Sequence, residues 1–216
     1  MTGIGGQGIQ LAATVVARAA LAEGREVQVF GSYGGMMRGG ATESTLVVAD
    51  GPLAAPPTVA SAWSVMLMHH EYAEHARRCL APGGIAFVNT SVVHGSSFDR
   101  SMHGAPIDGA PIDGAPIEEG HTVVDVAASD LAIEAGHVMA ASMVMIGAFA
   151  AVTGLVRLSS LVAASAASLP AYRARHAALN ERALQAGHSA VAEGTFPAWP
   201  DPPGPPEPAR DRAAAS

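Results

Sequence analysis

A chain of 216 residues, 49% of them apolar, is long enough for one substantial core and too short for two full domains. Its formal net charge is −7 and its 12 cations are all scattered arginines, which excludes a nucleic-acid or anionic-membrane surface, since both need clustered positive charge. Only 14% of residues are charged, against roughly 25% in a typical domain; either partners cover part of the surface, or an alanine-rich composition dilutes charge everywhere. The single cysteine, Cys79, rules out an intrachain disulfide and cannot hold an iron–sulfur cluster, which usually takes four thiolates. The compartment reads as cytoplasmic. The most apolar run, Val138 to Val156, is broken by Ser142, Gly147, Thr153 and Gly154 and reads as a buried core helix rather than a membrane span.

The chain opens on Met1-Thr2, a strand remnant, and runs into Gly3-Ile4-Gly5-Gly6-Gln7-Gly8. From Ile9 to Glu23, Ala12, Val15, Val16, Ala19 and Ala20 recur at helical spacing, and Gly24 ends that helix. A strand over Glu26–Phe30 leads into a glycine-rich loop, Gly31–Gly40, and a second strand over Ser44–Ala49 closes at Asp50-Gly51-Pro52. After a proline loop at Ala54–Thr58 come a short buried strand, Ser64–Met68, a polar helix, Glu71–Leu80, and an apolar strand, Ile85–Asn89. Three tandem copies, Gly-Ala-Pro-Ile-Asp at 104–108 and 109–113 and Gly-Ala-Pro-Ile-Glu at 114–118, forbid helix and interior strand alike, which predicts an inserted flexible loop at about 101–120. A last strand, Thr122–Val126, precedes helices over Ser129–Gly136, Val138–Gly154, Ser159–Ser168 and Ala171–Glu193. The predicted fold is α/β and Rossmann-like: a doubly wound, mostly parallel sheet with helices on both faces and a C-terminal helical region. One domain spans residues 1–195, and 196–216 is a proline-rich tail predicted to be disordered.

Chemistry points to the two glycine loops. Gly5, Gly6, Gln7 and Gly8 open a helix, so backbone amides and the helix dipole can face a phosphate. A nicotinamide site would need an acidic residue at the end of the next strand, where Phe30, Gly31 and Ser32 stand instead, and glycines that merely permit a tight crossing remain an alternative. The second loop, Ser32-Tyr33-Gly34-Gly35-Met36-Met37-Arg38-Gly39-Gly40, follows the strand Glu26–Phe30 and is expected to face the same crevice, because parallel strands end on one edge. There Arg38 offers a forked contact to phosphate or carboxylate, Tyr33 a flat face and a hydroxyl, and Gly39-Gly40 free amides; a surface ion pair is the other reading of Arg38.

This pair of loops, about thirty residues apart, resembles the gamma subunit of the 2-oxoacid:ferredoxin oxidoreductases, whose pattern is Gly-x-Gly-Gly-Gln-Gly followed by Ser-Tyr-Gly-x-Glu-x-Arg-Gly-Gly. Leu80-Ala81-Pro82-Gly83-Gly84, Met143 to Ala148, and Leu179 to Ala183 through Gly187 extend the resemblance over roughly residues 2–190. Three features depart from it: Met36 replaces a glutamate, Ser142 replaces an asparagine, and the first strand is reduced to Met1-Thr2. A central strand that short forgoes ladder bonds worth ~1 kcal/mol each, which predicts a chain start upstream of Met1.

The resemblance implies a subunit of an enzyme that oxidatively decarboxylates a 2-oxoacid to acyl-CoA and reduces ferredoxin, without activity of its own. It places thiamine diphosphate and iron–sulfur clusters on partner subunits, and it implies a CoA-contacting role for Gly5, Gly6, Gln7, Gly8, Ser32, Tyr33, Gly34, Arg38, Gly39 and Gly40. No cofactor is assigned to this chain alone, and ferredoxin is met only indirectly. The alternatives are a stand-alone Rossmann-like nucleotide binder, such as an adenosylmethionine-dependent methyltransferase, and a purely architectural subunit. His69, His70, Glu71, Glu74 and His75 lack the order of a helical zinc motif and read as a solvated first turn, Cys79 as a small core residue, and Met139, Met143 and Met145 as core filling.

Overall fold

The computed structural model describes residues 1–33, 40–53, 59–93 and 120–199. Along them run β1 (Thr2–Ile4), α1 (Ile9–Ala22), β2 (Glu26–Tyr33), β3 (Ala41–Ala49), β4 (Ala62–Leu67), α2 (Ala73–Cys79) and β5 (Leu80–Asn89). Then follow β6 (Thr122–Val126), α3 (Ala128–Ala135), α4 (Ala141–Thr153), α5 (Leu158–Ser168) and α6 (Ala177–Ser189), with 3-10 turns at His70–Tyr72, Val138–Ala140 and Ala171–His176. The strands form one sheet of order β2-β3-β1-β4-β5-β6. β1, β4, β5 and β6 are mutually parallel, while β3 runs against both β1 and β2. The predicted α/β, mostly parallel sheet is therefore present, with β3 as its one reversed strand among those described.

Helices lie on both faces, unequally. Strand alternation sends Met66, Met68, Ile85 and Phe87 to one side, against Val15 and Val16 of α1 and the fully buried α4. It sends Val65, Leu67, Ala86 and Val88 to the other, against Ala73 and Ala76 of α2. On that second face Phe30 is 50% exposed, so no described helix covers its end of the sheet.

α4 is the hub of the helical region. A Cβ built on Gly147 would collide with the Leu184 carbonyl, and one on Gly187 with the Val144 carbonyl, so α4 and α6 cross backbone to backbone at that pair. Asn89, wholly buried at the end of β5, accepts from the Ser129 amide and donates to the Ser129 hydroxyl, holding the first turn of α3.

Four sequence expectations are revised. β2 continues through Ser32 and Tyr33 because these pair with Glu43 and Thr42 of β3, so the glycine loop begins later than Gly31. β1 covers Thr2–Ile4 instead of Met1-Thr2, since Gly3 and Ile4 pair with Thr42 and Ala41. The last expected helix is split into a 3-10 turn and α6. The fourth concerns the tail, whose first residues are packed. Gly194, Phe196 and Ala198 donate their amides to the carbonyls of Ala151, Val152 and Thr153, which the end of α4 leaves without helical partners. Phe196 lies against Trp63 with ring centroids 5.5 Å apart, and Trp199 donates its indole N–H to the Leu155 carbonyl at 3.1 Å. The packed body thus runs to Trp199. The tandem repeat and residues 200–216 lie outside the described residues.

Candidate functional site at the carboxyl edge of the sheet

The chain leaves β1 toward β2 on one side and later builds β4, β5 and β6 on the other, so the strand order switches direction at β1. In open α/β sheets the crevice at such a switch, beyond the strands' carboxyl ends, is the usual ligand position. Gly5-Gly6-Gln7-Gly8 occupies it here. Gly8 caps α1 with φ 78° and Gly6 has φ 103°, left-handed values that residues with a Cβ adopt only under strain. A Cβ on Gly8 would also come within 2.7 Å of the Ser142 hydroxyl, so the first turn of α4 presses on the loop from one side. The first turn of α1 has neither a side-chain cap nor an acidic residue, leaving its positive dipole end uncompensated.

Gln7 works inward. Its carbonyl oxygen accepts from the Ile4 amide at 2.9 Å and its NH2 donates to the Met68 carbonyl at 3.0 Å, a side chain spanning β1 to β4 where a longer β1 would place backbone. Gln10, one turn into α1, donates to the Glu43 carbonyl at 2.9 Å and the Ser32 carbonyl at 3.4 Å, pinning the helix to β2 and β3. The sequence reading did not single out Gln10; its signal was its position three residues after Gln7, on the face of α1 that looks toward the second loop.

The two glycine loops touch. The Gly5 amide donates to the Gly40 carbonyl at 2.8 Å, continuing the β1–β3 ladder past Ile4–Ala41 into the loops. Ser32 is exposed on β2 and Tyr33 pairs through its backbone with Thr42, so this end of the second loop is one strand removed from the first, across β3. Gly34, Arg38 and Gly39 lie outside the described residues. Val138 and Met139 are both about half exposed, and the Met139 carbonyl lies near Gly8.

At the end of β4, His69 stacks on His70 with centroids 4.3 Å apart, and its Nδ1 accepts from the Glu71 amide at 3.4 Å. Their ligand atoms and that of Glu71 lie within 4.8 Å of one another, yet His69 already serves as a turn cap and the other two are exposed. Behind them, hydrogen bonds from Arg77, supported by Arg78, hold the Glu74 carboxyl below its ordinary value of 4.5. His75 Nε2 lies 3.2 Å from Glu43 Oε2 and 3.7 Å from the Cys79 sulfur. Burial, with Glu43 adding to it, pushes the Cys79 thiol up, which disfavours its thiolate.

The family model described as pyruvate ferredoxin/flavodoxin oxidoreductase matches residues 1–190. The chain belongs to this family. It is 29% identical over 192 residues to indolepyruvate oxidoreductase subunit IorB of Methanothermobacter thermautotrophicus, covering 88% of this chain and 95% of that protein. Its fold matches the gamma subunit of a keto/oxoacid ferredoxin oxidoreductase from Geobacter sulfurreducens, with TM-score 0.65, 24% identity, and coverage of 87% of this chain and 91% of that one. It also matches 2-oxoglutarate:ferredoxin oxidoreductase from Magnetococcus marinus, solved with 2-oxoglutarate, coenzyme A and succinyl-CoA bound, with TM-score 0.68 and 19% identity. That match covers 94% of this chain but 33% of the other, so this family member corresponds in fold to one third of a longer chain. The family assignment displaces the methyltransferase alternative. Among the described residues no helix is long and apolar enough to cross a membrane.

Proposed function

We propose that the chain is the gamma-type subunit of a cytoplasmic, multi-subunit 2-oxoacid:ferredoxin oxidoreductase, and that its two joined glycine loops form a contact for CoA. The overall reaction cleaves the carboxylate of a 2-oxoacid as carbon dioxide, transfers the acyl group to the CoA thiol and passes two electrons singly to ferredoxin. Family membership supports the reaction, and the bond between Gly5 and Gly40 carries the local assignment. That bond sets the uncapped start of α1 beside Gly40, and in this reading the helix amides and the Arg38 guanidinium serve the same phosphate.

The redox groups belong to partner subunits in this reading. A lone cysteine with a raised pKa does not fit an iron–sulfur cluster, which needs thiolates. The exposed sheet face around Phe30 fits a partner surface. In the assembled enzyme, Arg38→Lys keeps the charge but loses the fork, so the apparent CoA constant should rise by the equivalent of ~1–3 kcal/mol while the 2-oxoacid constant stays put. Release of the chain during gel filtration would reassign Arg38 to the subunit interface. Unchanged CoA kinetics with intact assembly would remove the CoA role.

A further inference from the structure

The chain turns sharply where β4 ends. His69 is still extended, with φ −149° and ψ 139°, and His70–Tyr72 is a 3-10 turn. In a continuing strand the side chains of His69 and His70 would point to opposite faces of the sheet. The turn instead brings His69, His70 and Glu71 together: one ligand atom from each lies within 4.8 Å of the other two. The two imidazoles stack with their planes 30° from parallel.

The titratable side chains that follow are committed elsewhere. Glu74 takes hydrogen bonds from Arg77 and Arg78, and His75 Nε2 faces the Glu43 carboxylate. Glu71 faces His69, with its Oε2 3.8 Å from His69 Nδ1. His69 is the fixed member of the three. Its side chain is 16% exposed, and the carbonyl of Met68 just before it is held by Gln7. His70 and Glu71 are exposed and have room to turn.

We propose that His69, His70 and Glu71 bind a borderline divalent metal ion, of which zinc is the type, through His69 Nδ1, one ring nitrogen of His70 and one carboxylate oxygen of Glu71. Two imidazoles and a carboxylate, with a position left open to water, are a donor set that zinc takes. Magnesium and calcium take oxygen ligands instead. His69 Nδ1 accepts from the Glu71 amide, so in the neutral ring the proton sits on Nε2 and Nδ1 carries the lone pair that a metal needs. That amide contact is long, 3.4 Å, and a cation displaces it at little cost. Bonds of ~2.0–2.2 Å set ligand atoms ~3.0–3.5 Å apart around zinc, so His70 and Glu71 close on the ion by roughly 1 Å. The proposal stands apart from the CoA assignment, because the metal alone tests it.

The test titrates the full chain, free of any affinity tag, with Zn²⁺ and with Mg²⁺, reading the metal bound and the thermal midpoint. Zn²⁺ should bind and raise the midpoint in proportion to its affinity, and Mg²⁺ should do neither. His70→Gln and Glu71→Gln, both at exposed positions, should leave the metal-free midpoint unchanged. Each should weaken Zn²⁺ binding by about tenfold or more, the loss that removing even an outer partner of a metal ligand produces. His75→Gln, which removes the imidazole between Glu43 and Cys79, should bind Zn²⁺ like the parent. In NMR spectra Zn²⁺ should move the ring signals of His69 and His70 ahead of those of the other histidines. Failure of the parent to bind Zn²⁺, equal binding by all three variants, or a loss confined to His75→Gln would each overturn the proposal. So would a response to Mg²⁺ equal to that to Zn²⁺, since the imidazoles would then contribute nothing.

Discussion

Gln7 shows how much a single side chain carries in this fold. Its motif position suggested a ligand contact, yet both ends of its amide are occupied by the Ile4 amide and the Met68 carbonyl. Gln7→Leu leaves a partly buried donor and acceptor unpaired and should lower the unfolding free energy by ~1–3 kcal/mol in urea titrations. Gln7→Glu, which keeps the acceptor for Ile4 but sets a carboxylate against the Met68 carbonyl, should not rescue it. Glu74 carries the pH dependence at this scale. Its folded pKa is depressed, so its contribution is full above the ordinary value of 4.5 and is lost as pH falls through the lower folded value. Its side chain is 36% exposed, so the effect is small: Glu74→Gln should lower stability slightly at pH 7, converge with the parent at acid pH, and so flatten the acid limb of the stability curve. The sequence reading put Ser32 and Tyr33 in the loop, because only their pairing with Glu43 and Thr42 carries β2 through them; the inward turn of Gln7 was equally hidden, because it depends on the bonds it makes to Ile4 and Met68.

At the scale of elements, the crossing of α4 and α6 reverses an expectation from propensity. An isolated helix gains ~1 kcal/mol from Gly→Ala. Here Gly147→Ala or Gly187→Ala pushes a methyl into the partner's backbone carbonyls and should instead destabilise by ~1–3 kcal/mol or more, read as a lowered thermal midpoint. Because both substitutions relieve or load one contact, the double variant should cost less than their sum. The sequence located α4 by its apolar run, although the first residues of the expected helix form a 3-10 turn. It could not show which helix would meet Gly147, since two close-packed glycines forty residues apart leave no periodic signal. The order of the strands was hidden for a related reason: alternation marks a strand but says nothing of its direction, and β3 reverses because the loop between β2 and β3 returns the chain straight along its neighbour.

At the scale of the whole molecule, composition put the end of the domain at residue 195, whereas packing runs on to Trp199. Pro197 and its neighbours dilute the apolar pattern, whereas Phe196 and Trp199 act as single anchors and the backbone between them completes the end of α4. Arg25 adds to this by lying over the Trp199 ring, 4.0 Å from its centroid, while pairing with Asp50. A chain cut after Trp199 should keep its thermal midpoint, whereas one cut after Thr195 should lose many degrees and the Trp199 fluorescence that reports docking. The chain purified alone should oxidise no 2-oxoacid and contain no iron; stoichiometric iron would contradict the division of labour among subunits.

The brevity of β1 also bears on the order in which the molecule folds. The Gln7–Met68 bond joins residues 61 apart, the Thr2 hydroxyl reaches the Met66 carbonyl across 64, and the Met1 amino group meets Ser44 across 43. Each contact requires closing a long loop before it returns any energy, and β1 has few bonds to return. The sheet's centre should therefore assemble after its flanks, from a transition state in which the β2–β3 hairpin and the β4–α2–β5 unit are formed and β1 is not. Substitutions at Thr2 or Gln7 would then speed unfolding while leaving the refolding rate nearly untouched, giving φ-values near zero, and the crevice would come into being only at the last step.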